Sequence, residues 1–293
     1  MMVAGAAWIH PAASRLPVMT EPANSSSTRP ANRPRIAVVT ALAGDRDDLK
    51  DPEVRFDSAD YIAFVDFPEK HRSDVWDVRP LPTGWSLDEK YADRRHAKLP
   101  KILPDLVLPN HDFSVWVDAN IELTTDPLEL CRRFLRDDKE IAVFPHRERT
   151  CPHAELLMVR IARLDVRRNL DLIKREYRTR NVGRNAGLYE LPFIVRRHGE
   201  RSIRFGLCWW ELICRISSRD QLSFPIALAT TDIGIETIKP GHVLRNPYMR
   251  KRSHKGHVKR PKTFAMKVRA RLRRILYPSL HSVRHPTTES EDE

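Results

Sequence analysis

Two oxygen-bearing side chains, Asp118 and Asn120, close the run Phe113-Ser-Val-Trp-Val-Asp118-Ala-Asn120-Ile121. Apolar and β-branched residues leading straight into an acid describe a buried strand. Its last side chains enter the crevice at the strand's carboxyl end, where open α/β sheets bind ligands. Oxygen ligands select hard cations such as Mg²⁺ or Mn²⁺, which often carry phosphates with them. The chemistry this pair suits is the holding of a metal and a diphosphate. The plainer alternative is that Asp118 merely starts a loop.

Cations stand just ahead of that strand, in Arg94-Arg-His-Ala-Lys98-Leu-Pro-Lys101. Arg94 and Lys98 share a helix face at i and i+4, and Lys101 follows beyond Pro100. Charge-assisted bonds from such a group suit a diphosphate; a charged face balanced by Asp88, Glu89 and Asp93 is the structural alternative. His146 and Arg149 follow another apolar run, Ile141–Phe144, and are expected as donor or phosphate contacts. Glu211, flanked by Trp209 and Trp210, is a candidate base, because aromatic surroundings raise a carboxylate's pKa. An ion pair with Arg215 at i+4 is the alternative for Glu211, and packing in the core is the alternative for both tryptophans. Asp220-Gln221 places an acid beside a carboxamide, which suits recognition of sugar hydroxyls. Cys151-Pro-His153 has no further ligands in the pattern a zinc site requires and reads as structural.

Several familiar sites are missing from the sequence. There is no GxGxxG, no GxxxxGK[ST], no HExxH and no GxSxG. With only 10 glycines in 293 residues, a glycine-cradled phosphate is disfavoured, so a phosphate must be held by cations, a metal or a helix N-terminus.

The elements that position these residues follow from periodicity. Arg35–Thr40, Tyr61–Asp66, 113–118 and Ile141–Phe144 read as short buried strands, with Trp76–Pro80 a further one. Residues 88–98 read as a helix that Pro100 breaks or restarts, and Pro127–Arg136 as a helix capped by Asp126. Residues 153–177 read as one long helix. Strands alternating with helices predict an α/β fold with a mostly parallel sheet.

The net charge of +12 is concentrated in one place. Residues 249–274 hold twelve Lys or Arg and no acid, and residues 275–293 carry −3, which leaves +3 for residues 1–248. Phe264, Val268, Leu272 and Ile275 recur at helical spacing there, describing a basic amphipathic helix able to lie on an anionic membrane through 249–276. A solvated tail touching RNA non-specifically is the alternative. Four scattered cysteines favour reduced thiols, and no run is long enough to cross a bilayer. Residues 1–33, Pro- and Ser-rich from 20 on, are expected to be a disordered leader.

Four ordered blocks carry a resemblance: Arg94–Leu103 with Phe113–Pro127, then His146–Glu155, then Leu191-Pro192, then Trp209–Glu211 with Ser218–Phe224. Over about 35–228 the chain resembles a glycosyltransferase-like family long known as a domain of unknown function. It includes plant proteins of seed-mucilage polysaccharide synthesis and many bacterial members. The resemblance implies a GT-A-like α/β fold, over 34–248, and transfer of a sugar from a nucleotide-sugar donor to a glycan or glycoconjugate acceptor. From their own chemistry, donor contacts are expected at Arg94, Lys98, Lys101, Asp118, His146, Arg149 and Gln221, and catalytic roles at Glu211 and Asp220. Mn²⁺ or Mg²⁺ would bind at Asp118 and Asn120. Asn120 departs from the Asp-x-Asp pattern of many GT-A enzymes, which weakens the metal expectation. A cytoplasmic location, peripheral to the membrane, is expected, and no specific nucleic-acid partner. A non-catalytic glycan-binding protein that keeps the fold, and nucleic-acid binding through the basic tail, are the alternatives.

Overall fold

The structure, a computed structural model, describes residues 33–44, 48–82, 95–240 and 242–252. The described residues from Pro34 on belong to one compact unit. Its strands are β1 (Ile36–Leu42), β2 (Asp60–Val65), β3 (Asp77–Pro80), β4 (Phe113–Val117), β5 (Ile121–Leu123), β6 (Ile141–Pro145), β7 (Tyr189–Arg197), β8 (Ile235–Thr237) and β9 (Met249–Lys251). The helices are α1 (Leu99–Ile102), α2 (Pro104–Val107), α3 (Pro127–Phe134), α4 (Pro152–Ala162), α5 (Arg167–Thr179), α6 (Glu200–Arg215) and α7 (Asp220–Thr230).

Seven strands form one sheet in the order β3-β2-β1-β4-β7-β6-β8, and β5 pairs with β9 in a separate ribbon. Only β7 runs against its neighbours. The α/β fold with a mostly parallel sheet expected from the sequence is therefore the fold observed. Both faces of the sheet are covered, as a parallel sheet requires. Ile36, Val38, Val115 and Val117 pack with α3 and the β5–β9 ribbon. Ala37, Val39 and Trp116 point the other way, towards α1, α2, α6 and α7.

Because β7 is antiparallel, its amino end lies beside the carboxyl ends of β4 and β6. Asp118 N donates to Pro192 O at 2.9 Å, which ties the end of β4 to the start of β7. A register shift between Val143 and Phe144 bends the β6–β7 pairing at the same level.

Two sequence expectations change. The helix expected over 153–177 is two helices: Arg163 ends α4 in the left-handed conformation at φ 53°, and Val166 is extended. Apolar periodicity continues across the break because both helices pack on one cluster with α6 and α7. The domain boundary expected after residue 248 falls just ahead of β9. Arg250 and Arg252 of the basic run are consumed by the body. Arg252 Nε lies 2.5 Å from Glu122 Oε2 and Arg250 Nη2 2.5 Å from Glu53 Oε2. Asp126 caps α3 as expected, accepting from Leu128 N at 2.8 Å.

Candidate functional site

Asp118 follows β4 at the sheet's carboxyl edge. Its side chain lies on the same face as that of Trp116, whose indole Nε1 donates to Asp118 Oδ1 at 2.9 Å. That bond orients the carboxylate and leaves its second oxygen directed elsewhere. Lys101, on the single-turn α1, comes to this face too, its Nζ 5.7 Å from the centre of the Trp116 ring.

The position of α1 is fixed from below. Arg196 of β7, fully buried, donates from Nη1 to Ile102 O at 2.7 Å and so caps the end of α1. Burial pulls its guanidinium pKa down to about 10, and it stacks over Phe205 and Trp209 at 5.5 and 6.0 Å. Gly206 lets α6 approach: a Cβ there would stand 2.6 Å from Ile102 O. Trp209 Nε1 then donates to Ser223 Oγ at 3.1 Å, joining α6 to α7.

The first residue of α7 is Asp220, and its Oδ2 accepts from Lys101 Nζ at 2.7 Å and from Lys98 Nζ at 2.9 Å. Residues 119 and 122 positions apart thus meet beside the end of β4. Burial works against charge on Lys101, but Asp220 and then Asp118 outweigh it and hold the ammonium's pKa above its ordinary value. Burial likewise opposes ionisation of Asp220, and the two lysines overcome it, keeping the carboxyl well below the usual range. Gln221 donates from Nε2 to Tyr189 O at 3.3 Å, at the start of β7. The site is a compact charge cluster of Lys98, Lys101, Asp118 and Asp220 at the crevice end of the sheet.

Several expected residues have other roles. Glu211 lies outside any aromatic cage. The helix turns its exposed side chain away from Trp209, and it pairs with Arg215 at 3.1 Å. Trp209 and Trp210 are buried in the core rather than available to stack on a sugar. Asp220 is held ionised by two ammonium groups, so it is a poor proton acceptor; its remaining lone pairs suit the hydroxyl recognition expected of it. Arg149 spends its guanidinium on Glu155 at 2.7 Å and Glu148 at 3.1 Å. His146 Nδ1 accepts from the backbone of Glu148 and Arg149. Burial, helped by Arg149, pulls its pKa down to about 4, so it is neutral and organises the loop after β6. His153 reads as structural, bonding Val182 O at 2.8 Å. Arg94, Asp88, Glu89 and Asp93 lie outside the described residues; the partner of the lysines is Asp220.

Sequence reasoning missed Glu190. It is buried at the start of β7 opposite Phe144, and burial raises its carboxyl pKa against the pull of Arg147 and His242. A single acid inside an apolar strand was its only signal. Among the described residues, no three His, Cys, Asp or Glu side chains converge as metal ligands. For a hard cation, Asp118 and the Asn120 carboxamide offer oxygen chemistry with one negative charge. That set fits an ion arriving with substrate phosphates better than a resident one.

The chain is 31% identical over 144 residues to the probable hexosyltransferase MUCI70 of Arabidopsis thaliana, an alignment covering 46% of this chain and 25% of that protein. Among solved structures it is similar to the bifunctional glycosyltransferase WbbM, at 9% identity and a TM-score of 0.40, over 72% of this chain and 40% of that one. It is also similar to mouse xyloside xylosyltransferase 1, at 7% identity and a TM-score of 0.38, over 70% and 84%. Lys98, Lys101, Asp118 and Asp220 all lie within residues 85–238, which match the family model and make up more than half of the sequence; the chain belongs to the TOD1/MUCI70 glycosyltransferase-like domain family.

Proposed function

We propose that this protein moves a sugar from a nucleotide-sugar donor to a hydroxyl of a polysaccharide or glycoconjugate. The observation that carries this reading is the meeting of Lys98, Lys101 and Asp220 beside Asp118, at the sheet edge where α/β folds take their ligands. Family membership supports glycosyl transfer in general; the donor and acceptor belong to the proposal.

In the proposed reaction the acceptor hydroxyl oxygen attacks the anomeric carbon as the bond to the diphosphate breaks, and the hydroxyl proton passes to the departing phosphate or to solvent. Negative charge develops on the departing phosphate oxygen, and Lys98 and Lys101 are preorganised cations close to that point. Because Asp220 shares their charge, the lysines bind sugar hydroxyls and phosphate without a large net field. Asp220 and Gln221 accept from and donate to sugar hydroxyls, which orients the ring. Asp118 and Asn120 would hold Mg²⁺ or Mn²⁺ carried in by the diphosphate, and that ion would neutralise phosphate charge. The cytoplasmic, membrane-peripheral setting belongs to the same proposal; among the described residues no helix is long and apolar enough to cross a membrane.

The test is a thermal-shift and hydrolysis screen against UDP-, GDP-, ADP- and TDP-sugars, with and without Mn²⁺, beside Asp118→Ala. A donor-specific rise in Tm that the variant loses is expected. A folded protein that answers no donor would move the reading to a non-catalytic glycan-binding module.

A further inference from the structure

A cleft of about 920 Å³ has Lys98 and Asp220 in its wall. The α4–α5 turn, the start of α5 and the segment between α6 and α7 form its walls. Arg163, Arg168 and Arg219 stand on these walls, and Asp165 and Asp220 are the two carboxylates that reach it.

The charges do not cancel there. Asp220 is taken by Lys98 and Lys101. Asp165 accepts from Ser217 Oγ, from Asn169 Nδ2 at 2.9 Å and from Val166 N at 2.7 Å, all neutral groups. Arg219 spends Nε and Nη2 on a carbonyl, Leu164 O, at 3.0 and 2.9 Å. Among the described residues, neither Arg163 nor Arg168 has an acidic partner. Arg163 also holds a left-handed backbone, φ 53°, which costs a residue with a Cβ about 1 kcal/mol. Glycine or asparagine would end α4 more cheaply, and arginine at this position sends a guanidinium to the cleft rim.

We infer that this cleft binds a phosphate-bearing acceptor, with Arg163, Arg168 and Arg219 receiving the phosphate and the sugar lying towards Asp220. Three guanidinium groups facing one uncompensated carboxylate call for a multivalent anion. A phosphate monoester, at about −1.5 to −2 near neutral pH, supplies that charge where a lone carboxylate does not. Planar guanidinium forks also match phosphate oxygens in pairs. The inference rests on the glycosyl-transfer reading, since it assigns the acceptor side of the same site. The phosphate would belong either to a free sugar phosphate or to a sugar carried on a lipid diphosphate, whose two phosphates carry a comparable charge. Leu164 and Val166 on the rim, 54% and 61% exposed, would meet the lipid in the second case.

The experiment uses the full chain and the double variant Arg163→Asn/Arg168→Gln, in which asparagine tolerates the left-handed backbone. Each is titrated with glucose 1-phosphate, glucose, a short polyprenyl phosphate and the nucleoside diphosphates of the donor screen. Glucose 1-phosphate should bind the parent, glucose should not, and the double variant should bind at least about tenfold more weakly. Nucleoside-diphosphate binding should be unchanged in the variant. Tighter binding of the polyprenyl phosphate than of the sugar phosphate would assign the lipid source, and the reverse the free one. Equal binding of glucose 1-phosphate by parent and variant, or none by a folded parent that binds nucleotide, overturns the inference alone. Loss of nucleoside-diphosphate binding in the variant also overturns it, by making the cleft the donor's diphosphate site. A parent that binds neither class removes the glycosyl-transfer reading as well.

Discussion

Replacing Asp220 by asparagine keeps the shape of the side chain and removes its charge, leaving Lys101 and Lys98 without their shared counter-ion. At 2.7 Å and an effective dielectric near 20, the Lys101 contact alone is worth ~6 kcal/mol before desolvation is counted. Desolvation cancels much of that, and breaking a buried pair typically costs 3–5 kcal/mol. Asp220 is 18% exposed, Lys98 is 24% exposed, and Asp118 still faces Lys101, so the lower end applies. We expect a loss of ~3 kcal/mol, or roughly 6–12 °C in Tm for a domain of this size. Urea denaturation of the parent, D220N, K101M and the double variant measures it as a cycle. Removing Lys101 as well should recover part of the loss, with a coupling of at least ~1.5 kcal/mol. The acid limb gives a second reading. The fold holds the Asp220 pKa below its unfolded value, so its contribution is full above roughly pH 4 and is lost as pH falls further; D220N should lack that loss. A D220N cost under ~0.5 kcal/mol, or a coupling indistinguishable from zero, would refute the reasoning.

Gly206→Ala places a methyl against Ile102 O and should cost ~1–3 kcal/mol while displacing α1, so its donor-induced Tm shift should shrink as well; an unchanged shift would separate α1 from the site. The fold pulls the His146 pKa down to about 4 from its ordinary 6.5, so the unfolded chain takes up its proton first. Stability should therefore fall by ~3 kcal/mol between pH 6.5 and 4, and His146→Gln should remove that step from the pH profile of urea midpoints. His198, also held down to about 4 by burial, contributes in the same window, so the variant flattens the profile only in part. A chain ending after Tyr248 loses β9 and leaves the buried Glu122 without Arg250 and Arg252. Relative to one ending after Arg252, it should be less stable by ~3 kcal/mol in calorimetry or urea.

The sequence by itself determined much of the sheet. Apolar runs of four to six residues ending in an acid or a turn located β1, β2, β4 and β6, because burial on both faces writes itself into consecutive residues. It also placed Asp118 at a strand's carboxyl end, which is a local property of the chain. β7 carries Pro192, Glu190 and two arginines, and that composition hid a central antiparallel strand. The break at Arg163 was equally hidden, since both helices face one cluster and the apolar rhythm continues across it. What only the tertiary structure decided were the partners. Lys101 and Asp220 look alike in sequence to any exposed Lys and Asp, and their ion pair exists because Arg196, Gly206 and Trp209 bring α1, α6 and α7 together. Glu211 shows the converse: its tryptophan neighbours in sequence are on a different side of the helix. Neighbourhood along the chain fixes backbone pattern, whereas charge chemistry depends on side-chain directions and on distances between residues far apart in sequence.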